Sequence, residues 1–172
     1  MSKSKQSSAQ NSKVIIQNFL SIFICIGLPF LIAYPSFEAR VRNVKEIEAR
    51  QILLAFIENQ NYQLKRYNKF TPKLDNLYRG TAQGTRNYQY KMKVESDQVL
   101  FEASAKVPRI RSYSGALFIV KIESSMVGVG GICQSDDLTS IPPTPILPPT
   151  PGSKAIRCPE GSRLFQVREF TD

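Results

Sequence analysis

Residues 14–34, VIIQNFLSIFICIGLPFLIAY, decide the class of this protein because they contain no charged residue. A helix rises 1.5 Å per residue, so about 20 such residues cross the hydrocarbon core of a bilayer. The polar residues Gln17, Asn18 and Ser21 stand near the N-terminal end, where lipid headgroups can solvate them. A buried core helix is the alternative, but so long an uncharged run is unusual in a soluble domain. We therefore expect a transmembrane helix over residues 14–35.

A cleaved signal peptide is a second interpretation, because Lys3, Lys5 and Lys13 form a basic segment ahead of the apolar one. The apolar run is longer than the about 7–15 residues usual in signal peptides. No A-x-A pattern closes it, and Pro35 follows directly. We therefore expect a retained anchor, preceded by a disordered cytoplasmic tail at residues 1–13.

Two cysteines determine the expected orientation, since lysine and arginine flank the anchor on both sides and the positive-inside rule does not decide it. Cys133 and Cys158 flank a proline-rich loop, residues 141–152 (IPPTPILPPTPG), an arrangement typical of a disulfide that staples a loop. Two unrelated buried thiols are the alternative. A disulfide requires an oxidising compartment, which predicts a cytoplasmic N-terminus and a C-terminal domain on the opposite side.

The rest of the chain predicts an α+β fold. Residues 38–67 contain no Gly or Pro, and their apolar run at 52–57 (ILLAFI) needs a cover, whereas residues 38–50 are charged on nearly every face and should be solvated. Short apolar or alternating segments that predict strands follow at 87–94, 98–105, 115–122, 126–133 and 162–170. We expect an amphipathic extension of the anchor helix, residues 36–70, to pack on an antiparallel sheet of three to five strands within residues 71–172.

Composition excludes several kinds of active site. The 172 residues include no His and only three Cys, which rules out a Ser–His–Asp triad, histidine metal ligands and a four-cysteine zinc site. No glycine-rich phosphate-binding loop is present. We therefore expect a protein that is not an enzyme and has no catalytic, cofactor-binding or metal site.

The net charge of +9 is concentrated between residues 65 and 93, where tyrosines alternate with basic residues and Asp75 is the one acid. A solvated connecting loop explains this pattern. Contact with an acidic partner or a lipid surface is the first alternative, and nucleic acid is the least favoured. The basic residues are Lys65, Arg66, Lys69, Lys73, Arg79, Arg86, Lys91 and Lys93.

Several short motifs occur in one collinear order along the chain: YPSFEA at 34–39, VKEIEARQ at 44–51, ENQNY at 58–62, KFTP at 69–72, NYQY at 87–90, SYSGALF at 112–118, and GIC and CP at 131–133 and 158–159. Together with the uncharged span, their order resembles that of type IV pilins, and most closely the type IV pilin-like G/H proteins of cyanobacteria. The resemblance covers about residues 14–168. It implies a long N-terminal helix packed on a small antiparallel sheet.

The N-terminus departs from the pilin pattern. Pilins are cleaved after a small residue, nearly always Gly, whereas Lys13 precedes Val14 here. Asn18 stands where pilins carry a buried glutamate. The processing signal and the assembly carboxylate are therefore both missing. The neutral amide of Asn18 costs less free energy inside a bilayer than an unpaired carboxylate would.

The resemblance implies a non-catalytic, membrane-anchored subunit, a minor component of a type IV pilus or a type II secretion-like assembly. One alternative is a pilin-derived accessory subunit that docks by its helix on a larger membrane complex, for example a photosynthetic one. The second alternative is a DNA-uptake pilin that binds DNA through residues 65–93. The C-terminal domain would lie in the periplasm or the thylakoid lumen.

The membrane helix is the expected contact with these partner subunits. Asn18, Ser21 and Cys25 are spaced by three and four residues, so they share one helix face. Gly27 allows another helix to approach closely, and the amide and hydroxyl groups can hydrogen-bond across such an interface.

Overall fold

A computed structural model describes residues 37–81, 83–122, 125–151 and 153–170. The predicted anchor and its contact residues Asn18, Ser21, Cys25 and Gly27 lie outside these ranges. In the described part of the chain, no helix is both long enough and apolar enough to cross a membrane. The chain divides into two compact units, Met1–Val41 and Arg42–Asp172. Residues 37–41 of the first unit are helical.

The second unit begins with helix α1, residues 42–67, which buries one face. The buried residues of that face are Glu46, Ala49, Ile52, Leu53, Phe56, Ile57, Gln60 and Asn61. Their spacing follows the helical period, and the apolar centre of the face confirms that residues 52–57 are covered. The expectation that residues 38–50 are solvated is wrong at Glu46 and Ala49. Both are buried, and Glu46 accepts hydrogen bonds there from the Arg111 backbone N–H and the Tyr113 hydroxyl.

A left-handed residue ends α1 before Pro72 is reached. Asn68 has φ 54°, and its backbone N–H donates to the carbonyl of Leu64 at 2.8 Å. Asparagine adopts this conformation more readily than most residues, which makes it a common helix terminator. Pro72 therefore lies in the loop that follows the helix.

Five strands form one antiparallel sheet in which each strand pairs with its neighbour in sequence, in the order β1-β2-β3-β4-β5. The strands are β1, Tyr88–Val94; β2, Gln98–Ala105; β3, Tyr113–Ile122; β4, Ser125–Ser135; and β5, Ser162–Phe170. The predicted α+β fold, with a long helix packed on an antiparallel sheet, is confirmed. All five predicted segments form strands.

The inner face of the sheet packs against α1 through aromatic rings. Phe56 stacks on Phe101 of β2, with ring centroids 5.4 Å apart, and meets Tyr90 of β1 edge-on at 5.7 Å. Tyr88 and Tyr113 continue this layer along the sheet, with ring centroids 6.3 Å apart. Rings of this size bury much apolar area, so this layer forms the main core.

The outer face of the sheet is covered by the segment between β4 and β5, residues 136–161. Ile146 and Ile156 of this segment pack on Ala116, Phe118 and Val129 of the sheet. A disulfide joins Cys133 of β4 to Cys158, with the two Cα atoms 5.6 Å apart, which confirms the predicted bridge. The sheet therefore lies between two layers, α1 on one side and the proline-rich segment on the other.

Two adjacent glycines of β4 let both layers approach the sheet. A Cβ atom at Gly130 would lie 2.6 Å from Cγ2 of Ile57 in α1. A Cβ atom at Gly131 would lie 2.8 Å from Cγ1 of Ile156 in the outer layer. Neighbouring residues of a strand face opposite sides, so each glycine admits a different layer.

We expect Gly130→Ala to destabilise the fold by about 1–3 kcal/mol, because the added methyl group overpacks the contact with Ile57. Gly115→Ala is the matched control, since a Cβ atom there would lie 3.4 Å from Cδ1 of the same isoleucine. Chemical denaturation of both variants measures the difference. Equal loss of stability in the two variants would contradict this account of the close approach.

Removal of the disulfide should lower the free energy of unfolding by about 3.5 kcal/mol, because it releases a loop with a sequence separation of 25 residues. The double variant Cys133→Ser/Cys158→Ser measures this against the oxidised chain. Reductant should destabilise the parent chain and leave the variant unchanged. Complete alkylation of Cys133 and Cys158 in the native, unreduced protein would show that the bridge does not form.

Candidate functional site

A groove of about 250 Å³ runs along the N-terminal half of α1. It is lined by Val44, Ile47, Glu48, Gln51, Ile52 and Tyr78, and we call it the helical groove. Val44 is 68 % exposed, and Ile47 and Tyr78 are also exposed. Val44 and Ile47 are three residues apart, so they are neighbours on the helix surface. The groove therefore presents apolar side chains to solvent beside the helix face that the sheet buries.

The loop between α1 and β1 forms one wall of the helical groove because side-chain hydrogen bonds hold it along the helix. The amide of Asn59 donates to the carbonyl of Leu77 at 2.9 Å. Farther along, the Thr85 hydroxyl and the Asn87 amide donate to the Glu48 carboxylate, the latter at 2.7 Å. The loop thus runs back from the C-terminal end of α1 towards its N-terminal half.

Gln60 fixes the start of this loop. Its side chain is fully buried, its amide nitrogen donates to the carbonyl of Thr71 at 2.7 Å, and its amide oxygen accepts from the Thr71 N–H at 2.9 Å. The same nitrogen lies 3.3 Å from Sδ of Met92 on β1. One side chain therefore satisfies both backbone groups of a loop residue and contacts the sheet.

Glu46 fixes the other end of the helix. One oxygen of its carboxylate accepts from the backbone N–H of Arg111 at 3.0 Å, and the other accepts from the Tyr113 hydroxyl at 3.2 Å. The Arg111 guanidinium lies 3.7 Å away and provides a countercharge. Burial, and next the Glu46 charge, raise the pKa of Tyr113, so its phenol stays protonated as a donor at neutral pH. This arrangement satisfies the buried carboxylate and gives it a positioning role.

Arg50 of α1 packs against the edge strand β5. Its guanidinium carbon lies 4.6 Å from the ring centroid of Phe165, within the range of a cation–π contact. Its Nη2 atom also donates to Asn43 at 3.0 Å. The ring of Phe165 remains partly exposed beside this contact.

The structure distributes the predicted basic residues along the molecule. All eight side chains are exposed, but Lys65 lies in the last turns of α1, whereas Arg86 stands between the two residues that bind Glu48. Lys65 is 17 residues from Glu48 on the same helix, an axial distance of about 25 Å. These residues therefore do not form one compact patch.

The interleaved tyrosines also separate from the basic residues. Tyr88 and Tyr90 are buried against α1, whereas Lys91 and Lys93 of the same strand are exposed on the outer side. Of the exposed tyrosines, Tyr67 contacts Arg66, whose guanidinium carbon lies 5.7 Å from the ring centroid. An array of aromatic rings for stacking bases is therefore not assembled on β1.

Glu46, Gln60 and Tyr113 are positioning residues that sequence reasoning missed. A signal for the first two was present: residues 46, 49, 53, 56 and 60 repeat at spacings of three and four, so both polar residues continue the apolar stripe. Polar residues in such positions are buried with partners. Within the described ranges, no group of three or more His, Cys, Asp or Glu residues could hold a metal ion.

Comparison with known protein families identifies the family of this chain. The profile of the type IV pilin-like G and H family matches residues 46–159, from the buried Glu46 to the proline after Cys158. The match spans more than half of the chain, so the chain belongs to this family. Neither a curated protein nor a solved structure matches the chain.

We expect Gln60→Leu to lower the free energy of unfolding by about 1–3 kcal/mol, because it leaves the N–H and carbonyl of Thr71 without their buried partner. It should also raise hydrogen exchange of the loop between α1 and β1. Gln63→Leu, one turn away and partly exposed, is the control and should change stability little. Equal effects of the two substitutions would show that Gln60 does not hold the start of the loop between α1 and β1.

Proposed function

We propose that this chain is a non-catalytic, membrane-anchored pilin-like subunit, a minor component of a type IV pilus or a type II secretion-like assembly. Its family membership supports the pilin-like role. The uncharged run at residues 14–34 supports an anchor, and the Cys133–Cys158 bridge supports an oxidising compartment for the domain that follows. In this proposal the N-terminus is cytoplasmic.

The helical groove is the observation that carries the proposal. The opposite face of α1 is already covered by the sheet, yet Val44, Ile47 and Tyr78 remain exposed beside one another. Covering an apolar side chain of this size stabilises a complex by about 1.5–3 kcal/mol. A helix or sheet of a neighbouring subunit would therefore gain by binding here.

A second candidate function is a pilin-derived accessory subunit that docks by its helix on a larger membrane complex. The departure at Lys13 and Asn18 favours it, because both the processing signal and the assembly carboxylate of pilins are absent from the sequence. Asn18, Ser21, Cys25 and Gly27 would form the contact within the membrane. The third candidate, DNA binding through residues 65–93, receives less support because the basic residues are spread out and two tyrosines are buried.

We expect Val44→Lys to reduce recovery of the chain in its membrane assembly about tenfold, since a charge would replace an apolar side chain that the neighbouring subunit covers. Met126→Lys is the control, because Met126 is 61 % exposed and lies outside the helical groove. Thermal unfolding should show that both variants fold. A photo-crosslinker at Val44 should yield peptides of a pilin-like or secretion subunit. Equal recovery of the two variants would contradict the proposed interface.

The mass of the N-terminus separates the two candidate functions. A mature chain that begins at Val14 indicates processing as a pilin, whereas an intact segment 1–13 indicates the accessory subunit. Replacement of residues 14–34 by a plain Leu/Ala helix provides an independent test of contact within the membrane. If that chimera still co-purifies with every native partner, the helix is only a tether.

A further inference from the structure

A second groove, of about 280 Å³, lies on the outer face of the sheet, opposite α1. The proline-rich segment leaves it open over β1 and β2. Leu100 forms its apolar floor, Pro145 and Ile146 form one wall, and Lys91 stands on the other side. We call it the outer groove. It shares no residue with the helical groove, so its role is separate from the function proposed above.

Ser114 is the feature that points to a ligand. Its side chain is 1 % exposed and lines the outer groove. Within the described part of the chain, its hydroxyl has no hydrogen-bond partner. A buried hydroxyl without a partner destabilises the fold, and most such groups in proteins are satisfied. A polar ligand group in the groove would supply the missing hydrogen bond.

Three polar side chains form a row across the groove. Lys91 is directly opposite Glu102, and Glu102 is directly opposite Ser114, so their side chains stand on one face at spacings of about 5 Å. Among the described residues, neither Lys91 nor Glu102 has an ion pair or a side-chain hydrogen bond. Lys93, by contrast, pairs with Glu95 at 2.7 Å. The row therefore places an ammonium, a carboxylate and a buried hydroxyl without a partner side by side along the groove.

We propose that the outer groove binds a free α-amino acid with an apolar side chain. The carboxylate of the ligand pairs with the Lys91 ammonium. The α-ammonium donates to the Glu102 carboxylate and to Oγ of Ser114, which use two of its three N–H donors. The apolar side chain lies against Leu100 and Ile146. The neutral sum of Lys91 and Glu102 matches the zwitterion, whereas a simple anion would meet Glu102 and a simple cation would meet Lys91.

In the unbound protein, the side chains that line the groove compete only weakly with such a ligand for one another. A direct contact between Lys91 and Glu102 in the unbound protein would be an ion pair near the surface, and such pairs contribute little. The ligand exchanges this weak contact for two ion pairs in a partly enclosed groove and covers the exposed part of Leu100. For a ligand as small as leucine we expect a dissociation constant on the order of 1 mM.

The test is a titration of the full-length chain in detergent micelles with L-leucine, followed by the NMR shifts of its backbone amides. Leucinamide, which lacks the carboxylate, and 4-methylpentanoate, which lacks the ammonium, are the matched ligands. We expect saturable shifts around Leu100 and Ser114 with L-leucine, and binding at least about tenfold weaker with each of the other two. Equally strong binding of leucinamide would indicate a peptide N-terminus and overturn the assignment to a free amino acid.

Two variants test residues of the row, and a third variant is the control. Ser114→Ala should weaken L-leucine binding about 3–10-fold while leaving stability unchanged or higher, because the hydroxyl has no internal partner to lose. Glu102→Gln should weaken it about tenfold. Ser104→Ala, on the same strand as Glu102 but outside the groove lining, should leave the affinity unchanged. Absence of saturable shifts with L-leucine, or equal affinities in all three variants, would overturn the proposal and leave the pilin-like function untouched.

Discussion

The contact between Ile57 of α1 and the backbone of Gly130 in β4 is the constraint on which the rest of the domain depends. It places the helix so close to the sheet that a single methyl group at Gly130 would collide with it. Because the helix is this close, Phe56 reaches the rings of Phe101 and Tyr90, and the main core closes around them. Cores packed this tightly tolerate neither added nor missing volume well.

Directional polar contacts at both ends of α1 determine where along the sheet it rests. Apolar burial has little directional preference of its own, so directional contacts are needed to oppose small shifts of the helix along the sheet. Glu46 prevents this at one end because its carboxylate binds Arg111 and Tyr113, and Gln60 prevents it at the other through both backbone groups of Thr71. Each partner lies far away in sequence or outside regular structure. The exposed surface near Val44 is therefore presented in a defined position.

Much of the fold could be predicted from sequence because its signals are local. Alternation and turn residues are read within a few positions, which is why all five strands were found, and a cysteine pair around a proline-rich loop is visible directly. Glu46 was misjudged because its partner Tyr113 is distant in sequence, and local charge density favoured solvent. The close approach at Gly130 could not be predicted, since glycine in a strand does not reveal what lies against it. The positions of the basic residues depend on the course of an irregular loop. Such a loop has no sequence periodicity from which its course could be predicted.

The three-layer arrangement separates two surfaces of the molecule, so that one can vary independently of the other. On β3 and β4, alternate side chains serve different layers, so the surface carried by the proline-rich segment is physically insulated from the helix by the thickness of the sheet. The Cys133–Cys158 bridge closes that segment at its base, where it leaves and rejoins the strands. Apart from Ile146 and Ile156, which pack on the sheet, its residues could therefore vary without altering the helical surface through which subunits would meet.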